Sequence, residues 1–182
     1  MARLPYIEKK DLPPEHQDLL KREISLYKQL VHSPGGLRAF STLGGYIRHG
    51  SKLDARLREL AILQVGYLAR QPYEWSHHVK IGYDFGVTDE DIQGLIDDTA
   101  GKATGLDETT RLVLKLAREM TLDGGGSDAV FAALSAKMPS ELLLDLILTI
   151  GFYNAVVRVL ATLQIDVEPE YLPYLQKYPL AE

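Results

Sequence analysis

The chain has 182 residues, 46% hydrophobic and 25% charged, a composition that fits one globular domain and excludes an intrinsically disordered chain. A net charge of −5 provides no broad phosphate-binding face, so nucleic acid is not expected as a partner. Cysteine is absent, which excludes disulfides, thiolate metal sites and thiol redox chemistry together.

Residues 1–6 are short and mixed, without the apolar run of a secretory signal, and the cytoplasm is the expected compartment. Three prolines make residues 1–14 an extended arm. Residues 15–32 read as a polar-to-amphipathic helix, with Leu19, Ile24, Tyr27 and Leu30 on one side, broken by Ser33-Pro34-Gly35-Gly36. A second helix is expected over residues 37–48, ending at Gly50. Asp54 caps a third, residues 55–70, whose middle is apolar almost all round and therefore belongs in an interior. Gln71-Pro72 starts a fourth, residues 73–85, closed by Gly86. Thr88 and Asp91 form a capping arrangement for a short helix to Asp98. An amphipathic helix over residues 107–121, a Gly124-Gly125-Gly126 loop and a short helix capped by Ser127 or Asp128 follow.

Pro139-Ser140 opens a long helix to Leu163. It approaches membrane-spanning length, but Asp145, Asn154 and Arg158 interrupt it, and charges at a bilayer centre cost roughly 2.5–3.5 kcal/mol each. A buried helix with no membrane partner is the reading. Its apolar surface covers more than one face, which suits either an oligomer interface or a central position within one subunit. Residues 166–182 read as an irregular tail. With no strand alternation and no repeat, the fold class is all-α: a single-domain helical bundle spanning residues 1–182.

The residues that carry chemistry lie in the fourth helix. With Glu74 at the origin of a helical wheel, His78, Ile81 and Phe85 fall within about 40° of it and His77 about 60° away. A carboxylate and an imidazole thus share an inward stripe. Buried ionisable groups need partners or a task, and a Glu–His pair at i, i+4 supplies either a structural stitch or a positioned proton donor. Geometry does not rank His77 against His78. Glu74, His77 and His78 would also offer oxygen and nitrogen to a metal, but no second ligand motif of comparable spacing accompanies them, so no metal is expected. Glu59, in the very apolar third helix, is the second candidate; its simplest structural role is a pair with Arg56.

Three runs together, residues 57–66, 73–82 and 86–92, resemble the carboxymuconolactone decarboxylase and alkyl hydroperoxidase D-like superfamily, most closely its cysteine-free members with a Tyr-Glu-Trp-x-x-His element. In the peroxidase branch a Cys-x-x-Cys-x-x-x-His element does the chemistry with a helper glutamate one helix earlier. Matching the histidine to His78 places Gln71 and Glu74 at the two cysteine positions and Glu59 at the helper. Both sulfurs are missing, and thiol peroxidase activity is ruled out by residues.

The resemblance implies an alkyl hydroperoxidase D-like bundle that oligomerises through long apolar helices as a dimer, trimer or hexamer. It implies no cofactor and a small-molecule substrate. The activity implied is that of a decarboxylase-like lyase or isomerase acting on a small carboxylated lactone or related cyclic acid in aromatic-compound catabolism. His78 would be the acid–base group oriented by Glu74, with Glu59 the second proton-handling group. His77, Tyr73 and Trp75 would line the pocket, and Asn154 and Arg158 would bind a carboxylate or an oxyanion. Lactone hydrolysis on the same residues, and a non-catalytic small-molecule-binding protein, are the alternatives. The leading reading expects a pocket between the third and fourth helices where Glu59, Glu74 and His78 converge.

Overall fold

The computed structural model describes residues 2–180, so the ends of the expected arm and tail, at Met1 and residues 181–182, lie outside the described residues. All regular structure among them is helical.

The helix starts follow their caps. Helix α3 (Ala55–Leu68) begins where the Asp54 side chain accepts from Leu57 N, and α4 (Pro72–Asp84) where Gln71 accepts from Tyr73 N with Pro72 in the first turn. Gly86, at φ +89°, supplies the left-handed turn after α4. A full Thr88–Asp91 capping box opens α5 (Asp89–Thr99). Asp107 opens α6 (Glu108–Leu122) and Ser127 opens α7 (Asp128–Ser135).

Helix α3 is the hub. Residues Arg58 to Gly66 are all buried, as an all-round apolar pattern requires, and the helix packs against α4, α6 and the long α8 (Ser140–Leu163). One core joins Ile62, Val65, Val113, Ala117, Leu146, Ile150 and Val157; another joins Leu60, Leu63, Trp75, Val79, Ile92, Leu95 and Leu114. Helix α8 is long and apolar enough to cross a membrane by length and composition. Yet its inward side packs on α3 and α6, and its buried Asp145 accepts from Tyr46 Oη (2.9 Å) and Ser51 Oγ (2.5 Å). Its outward stripe of Leu144, Leu148, Gly151 and Ala155 is exposed.

Three elements depart from the sequence reading. Residues 15–32 do not form one helix: a 3-10 stretch (Pro14–Leu20) is followed by a break and then the short α1 (Ser25–Leu30). The break exists because Ile24 is extended (ψ 150°), which presents Ser25 N to a carboxylate from the far end of the chain, Glu168 (2.7 Å). The second helix, α2 (Pro34–Gly45), passes into a π-helical turn (Tyr46–Gly50) held by the Asp145 bonds and by Arg58 donating to the Arg48 carbonyl. The tail is not irregular. Past Gln164, at φ +52°, it forms a 3-10 turn (Pro169–Tyr171) and α9 (Leu172–Lys177), which packs on α4.

Candidate active site

The first half of α4 is buried almost all round: Tyr73, Glu74, Trp75, Ser76, His77, His78 and Val79 all have little or no exposure. Six of these seven carry polar side-chain atoms, so each must find a partner. Where each one finds it defines the site.

His78 lies between two carboxylates. Its Nδ1 donates to Glu59 Oε2 at 2.6 Å, and its Nε2 stands 3.0 Å from Glu74 Oε1. The second contact is ionic rather than an aligned hydrogen bond, and Glu74 Oε1 is a buried oxygen with no aligned donor. Burial alone would lower the His78 pKa, but the facing carboxylates of Glu59 and Glu74 outweigh it and hold the imidazole at about 9. The ring is therefore an imidazolium at neutral pH. Conversely, burial raises the Glu59 pKa, but the His78 charge and Arg58 prevail and leave it lowered. Arg58, itself buried, gives Nε and Nη2 to Glu59 Oε1 at 3.0 and 2.9 Å, and its guanidinium lies 4.6 Å over the Phe85 ring. The expected Glu59–Arg56 pair does not form: Arg56 turns the other way, to Asp91 and Thr110.

His77, one residue earlier, serves a different cluster. Its Nε2 is 2.7 Å from Glu168 Oε2, and its ring is stacked between Tyr73 (centroids 4.0 Å) and Tyr171 (3.5 Å). Tyr73 Oη donates to Glu168 Oε1 at 3.1 Å. Burial works to raise the Glu168 pKa, but bonds from His77 and the Ser25 amide bring it down to about 2. The tail thus reaches back over ninety residues of sequence to close one side of the site. His77 faces Glu168 rather than Glu74 and His78, so these three do not converge as metal ligands would, and among the described residues no group of three or more such side chains does.

A cavity of about 60 Å³ opens beside His78, several times the roughly 10–15 Å³ one water needs. Glu74, His77, His78 and Tyr73 form its polar wall; Ile24, Phe40, Phe152 and Val156 form the apolar one. Tyr153, with its ring edge-on to His78 at 5.0 Å, completes the pocket. Burial first, and then Glu74 and Glu59, raise the Tyr153 pKa far above the phenol range and keep it a neutral hydroxyl.

The cavity lies between α4 and α1, α2 and α8, not between α3 and α4 as the sequence suggested. Glu59 stands behind His78 and does not border it. Trp75 points the other way, into the second core, where Nε1 donates to the Tyr178 carbonyl at 2.7 Å. Asn154 and Arg158 do not border it either: Asn154 donates to Thr121 and the Ile150 carbonyl, and Arg158 to Asn154. Helical periodicity explains both misses. It says which residues share a face, not which of two neighbouring bodies that face meets. The residues that were missed are Arg22, Arg48, Tyr153 and Glu168. Tyr153 lies on the apolar long helix and Glu168 in the proline-rich tail, where no local pattern marks either as a site residue.

The model of the carboxymuconolactone decarboxylase family matches residues 34–119, which include α3, α4 and all three of Glu59, Glu74 and His78. No curated protein matches the chain. Similar solved structures include an alkylhydroperoxidase D core, peroxidase-related protein from Ralstonia eutropha JMP134 (18% identity, 96% of this chain and 95% of that one, TM-score 0.78). A peroxidase-related protein from Silicibacter sp. TM1040 is also similar (20% identity, 93% and 92%, TM-score 0.72). So is the debrominase Bmp8 in complex with 2,3,4-tribromopyrrole (13% identity, 97% and 99%, TM-score 0.79). At these identities the likeness to solved structures carries the fold alone.

Proposed function

We propose, from the match of residues 34–119 to the carboxymuconolactone decarboxylase family model and the absence of cysteine, that this chain is a small-molecule-converting enzyme that works by acid–base chemistry without a cofactor. The reaction class proposed is lyase or isomerase chemistry on a small carboxylated lactone or related cyclic acid. One observation carries the reading: a buried imidazole, clamped between two carboxylates, borders a cavity with an apolar wall.

The geometry suits a reaction that passes through an enolate. Loss of carbon dioxide from a carboxylated butenolide pushes an electron pair into the lactone carbonyl, and the resulting dienolate must be stabilised and then protonated on carbon. His78 Nε2–H, not committed to a well-aligned bond with Glu74, is the donor for the developing oxyanion. A group with a pKa near 9 keeps its proton at neutral pH, so it serves first as an electrostatic stabiliser. The Glu74 carboxylate beside it is placed to relay the proton. Glu59 is a positioning residue: through Nδ1 it fixes the ring and its charge, with Arg58 holding Glu59 in turn. The apolar wall excludes water from the intermediate.

The test is a panel of carboxylated and non-carboxylated butenolides, followed for carbon dioxide release and for ring opening. The reading expects turnover of a carboxylated member, lost in His78→Ala and Glu59→Gln with the fold retained. Ring opening without carbon dioxide release would move the reaction to lactone hydrolysis; intact turnover in both variants would refute the acid–base assignment. The exposed stripe of Leu144 and Leu148 supports self-association through α8 as part of the same proposal.

A further inference from the structure

The cavity has more positive than negative charge, once its pairs are matched. Glu74 is the one acid among its lining residues and is paired with His78, and behind that wall Glu59 is paired with Arg58. Two cations on the cavity wall are left over: Arg48, from the π-helical turn, and Arg22, exposed at the rim. Among the described residues neither makes an ion pair. The one hydrogen bond from the Arg48 guanidinium is Nε to the Gly44 carbonyl at 3.3 Å, which leaves both terminal nitrogens uncommitted.

The backbone around Arg48 is built to hold it there. The wide π turn that carries it is tied at three points: Tyr46 Oη to Asp145, Ser51 Oγ to the same carboxylate, and Arg58 to the Arg48 carbonyl. Buried Asp145 thus anchors a turn whose only cavity-facing charged side chain is Arg48. A tied-down turn that presents an unpaired planar fork of donors to a pocket with one apolar wall matches a carboxylate.

We propose that Arg48 is the substrate-anion recognition residue of this protein, and that it binds a carboxylate that survives the reaction while His78 faces the reacting end. The inference rests on the reading that this cavity takes the substrate, but not on any catalytic role of His78. A surviving carboxylate follows from chemistry. An ion pair stabilises the carboxylate it holds, so binding the leaving group to Arg48 would oppose its departure, whereas binding a second carboxylate orients the ring at no such cost. Arg22 adds long-range attraction at the rim.

The test uses benzoate as the probe and benzamide as its neutral counterpart, by titration calorimetry on the whole protein at pH 7.5. Benzoate is expected to bind about tenfold or more tightly than benzamide, the preference a charge-assisted pair supplies. Arg48→Met is expected to abolish that preference and Arg48→Lys to retain part of it. In unaltered protein, benzoate but not benzamide is expected to protect Arg48 from phenylglyoxal, read by peptide mass, so that the result does not depend on a variant that folds. Equal affinity for the two probes, failure of benzoate to protect Arg48, or loss of the preference in Arg158→Met instead would overturn the proposal. None of these readouts requires turnover, so a failed catalytic assignment would leave them standing, and the converse.

Discussion

Replacing Glu59 by glutamine keeps its shape but removes the charge that two buried cations share. The native carboxylate, at 0% exposure, takes two bonds from Arg58 and one from His78. Breaking a buried pair from one side typically costs about 3–5 kcal/mol, because the partner is left charged and unsolvated. The His78 part of that figure can be worked separately. Its pKa rises from 6.5 to about 9 through Glu59 and Glu74 together, and at 1.36 kcal/mol per unit this is about 3 kcal/mol of stability, of which Glu59 supplies the larger share. The sign follows from a folded value above the unfolded one: the contribution is complete below pH 6.5 and is lost as pH rises through 9. The lowered Glu59 pKa expresses the same attraction from the other side and is not counted twice. Urea denaturation of both proteins at pH 7 and pH 10 therefore gives a paired prediction. Glu59→Gln should cost about 3–5 kcal/mol at pH 7 and markedly less at pH 10, where His78 has already lost its proton and only Arg58 still lacks its counter-charge. Other groups titrate alike in both proteins and cancel. A penalty that is the same at both pH values would refute the coupling between Glu59 and a charged His78.

Trp75→Phe should lower the stability by about 2–3 kcal/mol, since it leaves the buried Tyr178 carbonyl unpaired and underfills the second core; calorimetric melting checks it, with a fall of roughly 4–12 °C expected. The folded Glu168 carboxyl is held down at about 2 against an ordinary 4.5, so its contribution is present above pH 4.5 and lost as pH falls toward 2. Over that interval, NMR should show the His77 ring and α9 resonances leaving their native positions, and Glu168→Gln should bring on the same change at pH 7. In sedimentation velocity, unaltered protein should run as an oligomer and Leu144→Glu with Leu148→Glu as a monomer; a monomer in both would dispose of the α8 interface.

The parts of this molecule written locally were legible in the sequence. Asp54, the Thr88–Asp91 box and Ser127 cap helices where short-range chemistry says they should, because a cap and its amides lie within three residues. The buried Glu74–His78 stripe was legible for the same reason, since i, i+4 is a single helical turn. What spans longer separations was not. Glu168 meets His77 across 91 residues and Ser25 across 143, and a tail dense in proline and tyrosine carries no periodicity that announces either bond. Arg48 sits in a π turn whose form depends on Asp145, 99 residues from Tyr46. The same limit misplaced Arg158: among the described residues it bonds to Asn154, which bonds in turn to α6 and α8, on a side of α8 that does not border the cavity.

A charged His78 at the cavity wall is the centre of the proposed chemistry, and nitrogen-15 NMR of the histidine rings reads that charge directly. At pH 7.5 the His78 ring should show both nitrogens protonated, with a titration midpoint near 9 that falls in Glu59→Gln. A neutral ring at pH 7.5, with one bare nitrogen and a midpoint near the ordinary 6.5, would contradict it.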